Sequence, residues 1–442
     1  MSLSRRSFLM NGASVALAPG AAAQPADALS IWLAVHAAPV RSVDFMDEDF
    51  SDLKPLGDAI GDARLVQLGE PSHGAGSCFA AKARIVKFLH KRLGFDVLIW
   101  ESGLYDVALA QAGMRGTDDA MTAAQRGVFT LWSMAAEVKP LFEYIKATQV
   151  TVRPLEMAGF DMQVTADGST ARFAEDLRDF VGALRDGDLR ARASALAEQA
   201  LTLRQRLIAT KFAGQTDLAD MAVAVRNLGE LIRANRAHFV QTRGDLGTDF
   251  MAHAIQNMAA DAAFRAEFAH APATTAARES SRDAANAKNL RWLLEQAYAG
   301  RKAIVWAHDV HVMSAYYDSA FHGVHLTAQP GDMKPTGIFI ADWLGQKAYT
   351  LGMTTFQGED GFSMGGPATP VAPAPDGSLE AHLHGLGHAY AFVDFRARSD
   401  NPLRKAQTIR LPKYDANRVA DPSHVYDGIF YIDQMARATR AK

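Results

Sequence analysis

Four apolar, strand-like runs in this 442-residue chain each stop at an acid or a histidine. Residues 64–68 run into Gly69-Glu70-Pro71-Ser72-His73-Gly74, and residues 95–100 into Glu101-Ser102-Gly103. Residues 153–157 lead to Gly159-Phe160-Asp161, and residues 302–306 to Ala307-His308-Asp309-Val310-His311. In a parallel sheet the carboxyl ends of the strands line one crevice, where α/β proteins bind ligands. As sheet neighbours, the four runs would bring Glu70, His73, Glu101, Asp161, His308 and His311 together. Such a cluster suits acid–base chemistry or a metal.

The segments between the runs agree with this arrangement. Residues 76–93 place Ala80, Ala83, Ile85, Val86, Phe88 and Leu89 on one helical face. A second helix is expected over 128–147. Strand and helix in alternation predict an α/β fold with a central, largely parallel sheet flanked by helices. From 169 to 281 the strand signals vanish and Ala, Leu, Arg, Glu and Asp dominate. This stretch reads as an inserted all-helical subdomain, either a wall or cap of the crevice or a structural layer. The α/β core then comprises 27–168 and 282–442. Further strands are expected over 348–354 and 389–395. Two loops rich in Gly or Pro, 327–335 and 358–377, are candidate lids.

Residues 1–23 combine Ser4-Arg5-Arg6-Ser7-Phe8-Leu9-Met10, a weakly apolar stretch and Ala21-Ala22-Ala23. They read as a twin-arginine export signal, which predicts a periplasmic or secreted protein. Removing that segment takes Arg5 and Arg6 and no acid, leaving 44 basic against 49 acidic residues. That balance points away from nucleic acid. No later run is long and apolar enough to insert in a membrane. Cys78 is the single cysteine, which excludes an intrachain disulfide and a multi-thiolate metal site. It reads as a small buried residue or as a thiol nucleophile beside His73.

In the first motif Pro71 fixes its own φ and biases Glu70 away from helix. The turn presents Glu70 and His73 together, a pairing in which a neutral imidazole takes a proton from water and a carboxylate steadies the imidazolium. Glu101 follows an apolar run and needs a partner to offset its desolvation. A facing His73 would supply one, as would capping of the next helix with Ser102. His308 and His311 are three apart, so both can face one site only across a turn. The same residues could also hold a metal, although dense His-Glu-x-x-His spacing is absent. Gly361-Phe362-Ser363-Met364-Gly365 matches a nucleophile elbow in letters, but no strand precedes it and no helix follows.

The ordered set of these pieces resembles the erythromycin esterase family. The residues that carry it are Leu68 to Gly74, Lys82 to Leu89, Gly94 to Glu101, and Trp132 with Glu137 and Val138. Gly159-Phe160-Asp161, Arg282-Asp283, Asn289, Trp292, Trp306-Ala307-His308 and the tail Tyr426 to Asp433 complete it. The resemblance implies a metal-independent carboxylic-ester hydrolase without a cofactor, acting on a small-molecule ester or a macrolide lactone. It assigns His73 as general base, supported by Glu70 and Glu101, with His308 as a further catalytic group. Lys82, Arg84, His311 and Asp161 are the expected substrate or oxyanion contacts. Asp309 stands where the family usually has Asn, adding a charge beside the site, and Asn286 where it usually has Met. The same superfamily includes haem-binding iron-uptake proteins. A periplasmic haem, metal or small-molecule binding protein and a metal-dependent hydrolase are therefore the alternative readings.

Overall fold

Side chains that alternate along extended runs face opposite sides of a sheet, and here each side has its own core. Val66, Leu68, Leu98, Trp100, Ile304 and Trp306 pack into one apolar layer. Their neighbours Leu65, Val97, Ile99, Ala303 and Val305 pack into the other. Both faces are covered, which is why these runs read as almost continuously apolar. The computed structural model describes residues 28–210, 217–270, 276–318, 323–396, 401–414 and 418–442. The signal-like segment 1–23 lies outside them.

The main sheet contains β1 (Ala38–Pro39), β2 (Leu65–Leu68), β3 (Phe95–Gly103), β4 (Glu156–Asp161) and β5 (Lys302–Trp306). It continues with β6 (Ala348–Asp360), β7 (Thr369–Val371), β8 (Tyr390–Asp394) and β9 (Gly428–Met435). Their spatial order is β1-β8-β9-β6-β2-β5-β3-β4, with β7 on β6. The six strands from β9 to β4 are parallel. β1, β8 and β7 pair antiparallel. The largely parallel α/β architecture is as expected.

Register is what builds the site. Leu68 pairs with Leu351 on one side and Trp306 on the other. Trp306 in turn pairs with Trp100, and Trp100 with Gly159. These five residues form one level row, so Glu70, Glu101, Asp161 and His308 all follow at the same rim.

Helix α1 (Gly76–Leu93) returns from the Glu70–His73 turn and is buried along most of its length. The helix expected over 128–147 is two pieces, Thr130–Ser133 and Lys139–Thr148, with Pro140 in the first turn of the second. Proline has no N–H and clashes with the preceding turn, so it begins a helix rather than continuing one. Residue 358 does not open a bare loop: β6 extends to Asp360 and pairs with β7.

Helices α2 (Thr170–Gly182), α3 (Gly187–Ala209), α4 (Leu218–Ala234) and α5 (Arg236–His270) share a separate apolar cluster, including Phe173, Leu203, Leu228 and Ile255. A buried ion pair, Arg204 to Asp106 at 2.6 Å, ties this layer to the sheet side. α6 (Ala276–Trp292) leads back toward β5.

Gly159 occupies the row because nothing larger fits. A Cβ there would lie 2.4 Å from the Ser102 carbonyl oxygen and 2.5 Å from that of Gly103. That backbone belongs to the irregular end of β3 that carries Glu101. Gly159→Ala is expected to lower stability by about 1–3 kcal/mol, the usual range for overpacking, measured by denaturant unfolding. Unchanged stability would show that this strand end yields freely.

Candidate active site

The site is built around a carboxylate with no access to water. Glu70 is fully buried where the chain leaves β2. Its Oε1 accepts hydrogen bonds from His73 Nδ1 and Trp132 Nε1, each at 3.1 Å. Its Oε2 accepts from Lys82 Nζ, equally buried on α1. Lys82 also donates to the Ala307 carbonyl at 3.2 Å and lies 4.4 Å from the Trp306 ring centroid. Burial lowers the Lys82 pKa, while the Glu70 charge works against that shift. An isolated charge here would cost several kcal/mol; the pair is tolerable because each offsets the other.

A second network sits one strand away. Glu101 Oε2 accepts from the His308 backbone N–H at 2.8 Å. Its Oε1 lies 3.0 Å from Arg282 and 3.3 Å from His311 Nε2. Arg282 on α6 also donates to both oxygens of Asp161, at 3.2 and 2.6 Å. His311 Nδ1 is 2.9 Å from Asp283 Oδ1, which also accepts from the Thr336 backbone and hydroxyl. Burial would raise the Glu101 carboxyl, but His311, His73 and Arg282 outweigh it and hold it well below the usual range. Burial would lower His311, but Asp283 and Glu101 raise it to about 9. The two carboxylates thus favour the protonated ring, while Arg282 Nη1, 3.2 Å from His311 Nε2, works against it.

His308 behaves differently from its neighbour. It caps the short helix Asp309–Val312, and its Nδ1 accepts from the Val310 N–H at 3.0 Å. The proton of the neutral ring must then sit on Nε2. Burial, aided by the nearby His73, holds the His308 pKa well below the ordinary value. The turn demanded by the three-residue spacing of His308 and His311 is this helix.

His73 and His308 meet nearly edge to face, with ring centroids 5.1 Å apart. Both line a cavity of about 520 Å³, with walls that include Pro71, Asp360, Phe362, Val371 and Tyr414. A carboxylate accepting from His73 Nδ1 leaves Nε2 as the basic nitrogen. The arrangement can therefore offer one imidazole that takes a proton and one that donates a hydrogen bond.

Of the expected residues, Glu70, His73, Glu101, Asp161, His308 and His311 gather at this rim. Arg84 does not: its guanidinium donates to Asp52, Ser42 and Asp49. Two residues along a helix is a turn of about 200°, so Lys82 and Arg84 cannot share a face. Lys82 joins the cluster from behind Glu70 and is not in the cavity lining, contrary to an oxyanion role. Asp161 likewise is 2% exposed and is engaged by Arg282 rather than open to a ligand. Ser102 does not cap a helix with Glu101; its hydroxyl accepts from the Phe129 N–H at 3.0 Å.

Asp309 does not stand open beside the imidazoles. It is buried against Gly69, where a Cβ would lie 1.8 Å from its Oδ1, and burial raises its pKa well above normal. Cys78 is buried and its thiol pKa is raised by that burial, which removes it as a nucleophile. Ser363 is buried and donates to the Leu131 carbonyl at 3.1 Å. Among the described residues, none of the cavity's lining lies in α2–α5; the 358–377 stretch and residues 410–414 form the outer wall instead. Arg282, Asp283 and Trp132 were visible in the sequence only as parts of the resemblance. Their roles depend on which strand end they meet, and no local pattern states that.

The erythromycin esterase sequence profile matches residues 90–435, beginning downstream of Glu70 and His73. The putative hydrolase YbfO of Bacillus subtilis is 26% identical over 382 residues, covering 82% of this chain and 80% of its own. Erythromycin esterase type II of Escherichia coli is 21% identical over 427 residues, covering 88% and 94%. A mutant of the erythromycin esterase EreC in its open conformation superposes with a TM-score of 0.67 at 15% identity, over 91% of this chain and 98% of that one.

The raised His311 pKa has a consequence for stability. An imidazole with a folded pKa of about 9 and an ordinary one near 6.5 stabilises the fold fully below the lower value. The contribution disappears as pH rises through the upper one. The difference corresponds to at most about 3 kcal/mol. The gap in unfolding free energy between the natural protein and His311→Gln should therefore be larger near pH 6 than near pH 10. A gap independent of pH would contradict the raised pKa of His311.

Proposed function

The chain belongs to the erythromycin esterase family, and on that premise we propose that it cleaves a carboxylic ester or lactone with His73 as general base. The observation that carries this reading is the His73 ring: Nδ1 faces buried Glu70, and the ring lines the cavity beside His308. Water bound at Nε2 loses a proton to His73 as its oxygen attacks the ester carbonyl carbon. Glu70 stabilises the imidazolium that forms. The neutral His308 donates its Nε2–H to the developing oxyanion. Collapse of the tetrahedral intermediate breaks the carbon–oxygen bond, and His73 returns its proton to the leaving alkoxide. The products are an acid and an alcohol, or one hydroxy acid from a lactone.

Glu101, Arg282 and Asp161 act through others in this scheme. Glu101 holds the His308 backbone, and Arg282 joins Glu101 to Asp161. The His308 Nδ1 and both His311 nitrogens are already engaged, which leaves the Nε2 atoms of His73 and His308 to act in this scheme. The likeness to the Escherichia coli enzyme makes a macrolide lactone one candidate substrate. The twin-arginine pattern in residues 1–23 carries the further proposal of export to the periplasm or beyond.

His73→Ala is expected to reduce turnover of an aryl ester by about 10²–10⁴-fold, with its circular dichroism unchanged. Activity of the natural protein should survive exhaustive chelation. Equal turnover by the variant would remove His73 from the mechanism, and loss of activity on chelation would favour the metal-dependent reading.

A further inference from the structure

The cations around the cavity differ in what already holds them. Lys82 is engaged by Glu70, and Arg282 by Glu101 and Asp161. Arg410 donates to the Phe356 and Ala372 carbonyls at 3.0 and 2.6 Å. Arg437, behind the lip, donates to the Gly366 and Phe362 carbonyls, both at 3.1 Å. These four are structural: they position a carboxylate or pin the loop that forms the outer wall. Lys413 lines the cavity, half-buried, and no acid or acceptor pairs with it among the described residues. Lys413, His73 and His308 line the same cavity.

The rest of the lining sharpens the contrast. Asp360 is the only acid among the described lining residues; it accepts from the Ser72 hydroxyl at 2.8 Å, and burial raises its pKa. Phe362, Pro370, Val371 and Ala372 make the opposite wall apolar. A cavity of this volume takes a whole small molecule, with one polar group fixing its orientation. A cation in a partly buried residue, with no counter-ion among the described residues, gains from a ligand that supplies one.

On the reading that this site hydrolyses esters, we infer that its substrate carries an anionic group, a carboxylate or a phosphate, which Lys413 binds while the ester carbonyl meets His73 and His308. An ester with a cationic substituent in that position would be disfavoured, because it would place like charge against Lys413.

The test uses three para-nitrophenyl esters of similar length: the neutral pentanoate, the anionic hemiglutarate and the cationic trimethylammoniobutyrate. Full-length natural protein, Lys413→Gln, Lys413→Glu and His73→Ala are compared by kcat/KM. The natural protein should prefer hemiglutarate to pentanoate, and pentanoate to the cation. In Lys413→Gln the anion-to-neutral ratio should fall about tenfold, the scale of one charge-assisted hydrogen bond. In Lys413→Glu the order of anion and cation should reverse. A ratio unchanged in both variants, with ester hydrolysis intact, overturns the anion subsite and leaves the hydrolase reading standing. If no ester is cleaved faster by the natural protein than by His73→Ala, the hydrolase reading fails instead. The subsite is then judged by calorimetric titration with glutarate mono-anilide. Binding weakened by Lys413→Gln sustains it, and equal or absent binding ends it.

Discussion

A single buried carboxylate organises the reactive end of this fold. Glu70 has no contact with water, and it holds both Lys82 and the His73 ring. A lone carboxylate in that place would be neutralised, and the imidazole would lose its anchor. Lys82 prevents this from beneath, and the Trp132 indole adds a hydrogen bond from the side. Three separate parts of the chain therefore meet at one functional group. The aromatic layer of Trp100, Trp132 and Trp306 below it keeps water away. In the proposed reaction this dry support is what lets an imidazolium form without the ring rotating.

The second network follows a different logic. Glu101, Asp161 and Asp283 are buried acids, and among the described residues Arg282 and His311 are the basic side chains paired with them. Both bases come from segments after the helical layer, α6 and the short helix after β5. The network therefore clamps the two halves of the α/β core together at the rim. It also divides the two cavity histidines from the third: His73 and His308 face the open space, while His311 is fixed in the wall. Residues of similar chemistry take opposite roles because of what surrounds them.

Much of the architecture was legible along the chain. Apolar runs of strand length, each followed by polar residues and then a helix, admit few arrangements other than a covered parallel sheet. α1 and β5 occupy the expected residues. The break at Pro140 was missed because the apolar periodicity on either side outweighed one residue in the reading. Arg84 was misplaced for a related reason: a basic residue two positions from Lys82 looks equivalent in a list and is opposite on a helix. For the outer wall the sequence left two readings of the helical stretch open, a wall of the crevice or a structural layer. The loop at 358–377 lines the cavity, and among the described residues the helical layer contributes none of the lining.

The sequence by itself determined which residues stand at strand ends, since alternation and run length locate a rim without any knowledge of neighbours. It also marked Glu70 and His73 as a pair, because three residues and a proline turn hold them close. Only the tertiary structure decided the rest. Strand order and register are long-range choices, and they alone put Trp100, Trp306 and Leu68 level. The titration of the two rings was decided there too: Asp283 and Glu101 raise the His311 pKa, burial beside His73 lowers that of His308, and neither difference can be read from two histidines three residues apart.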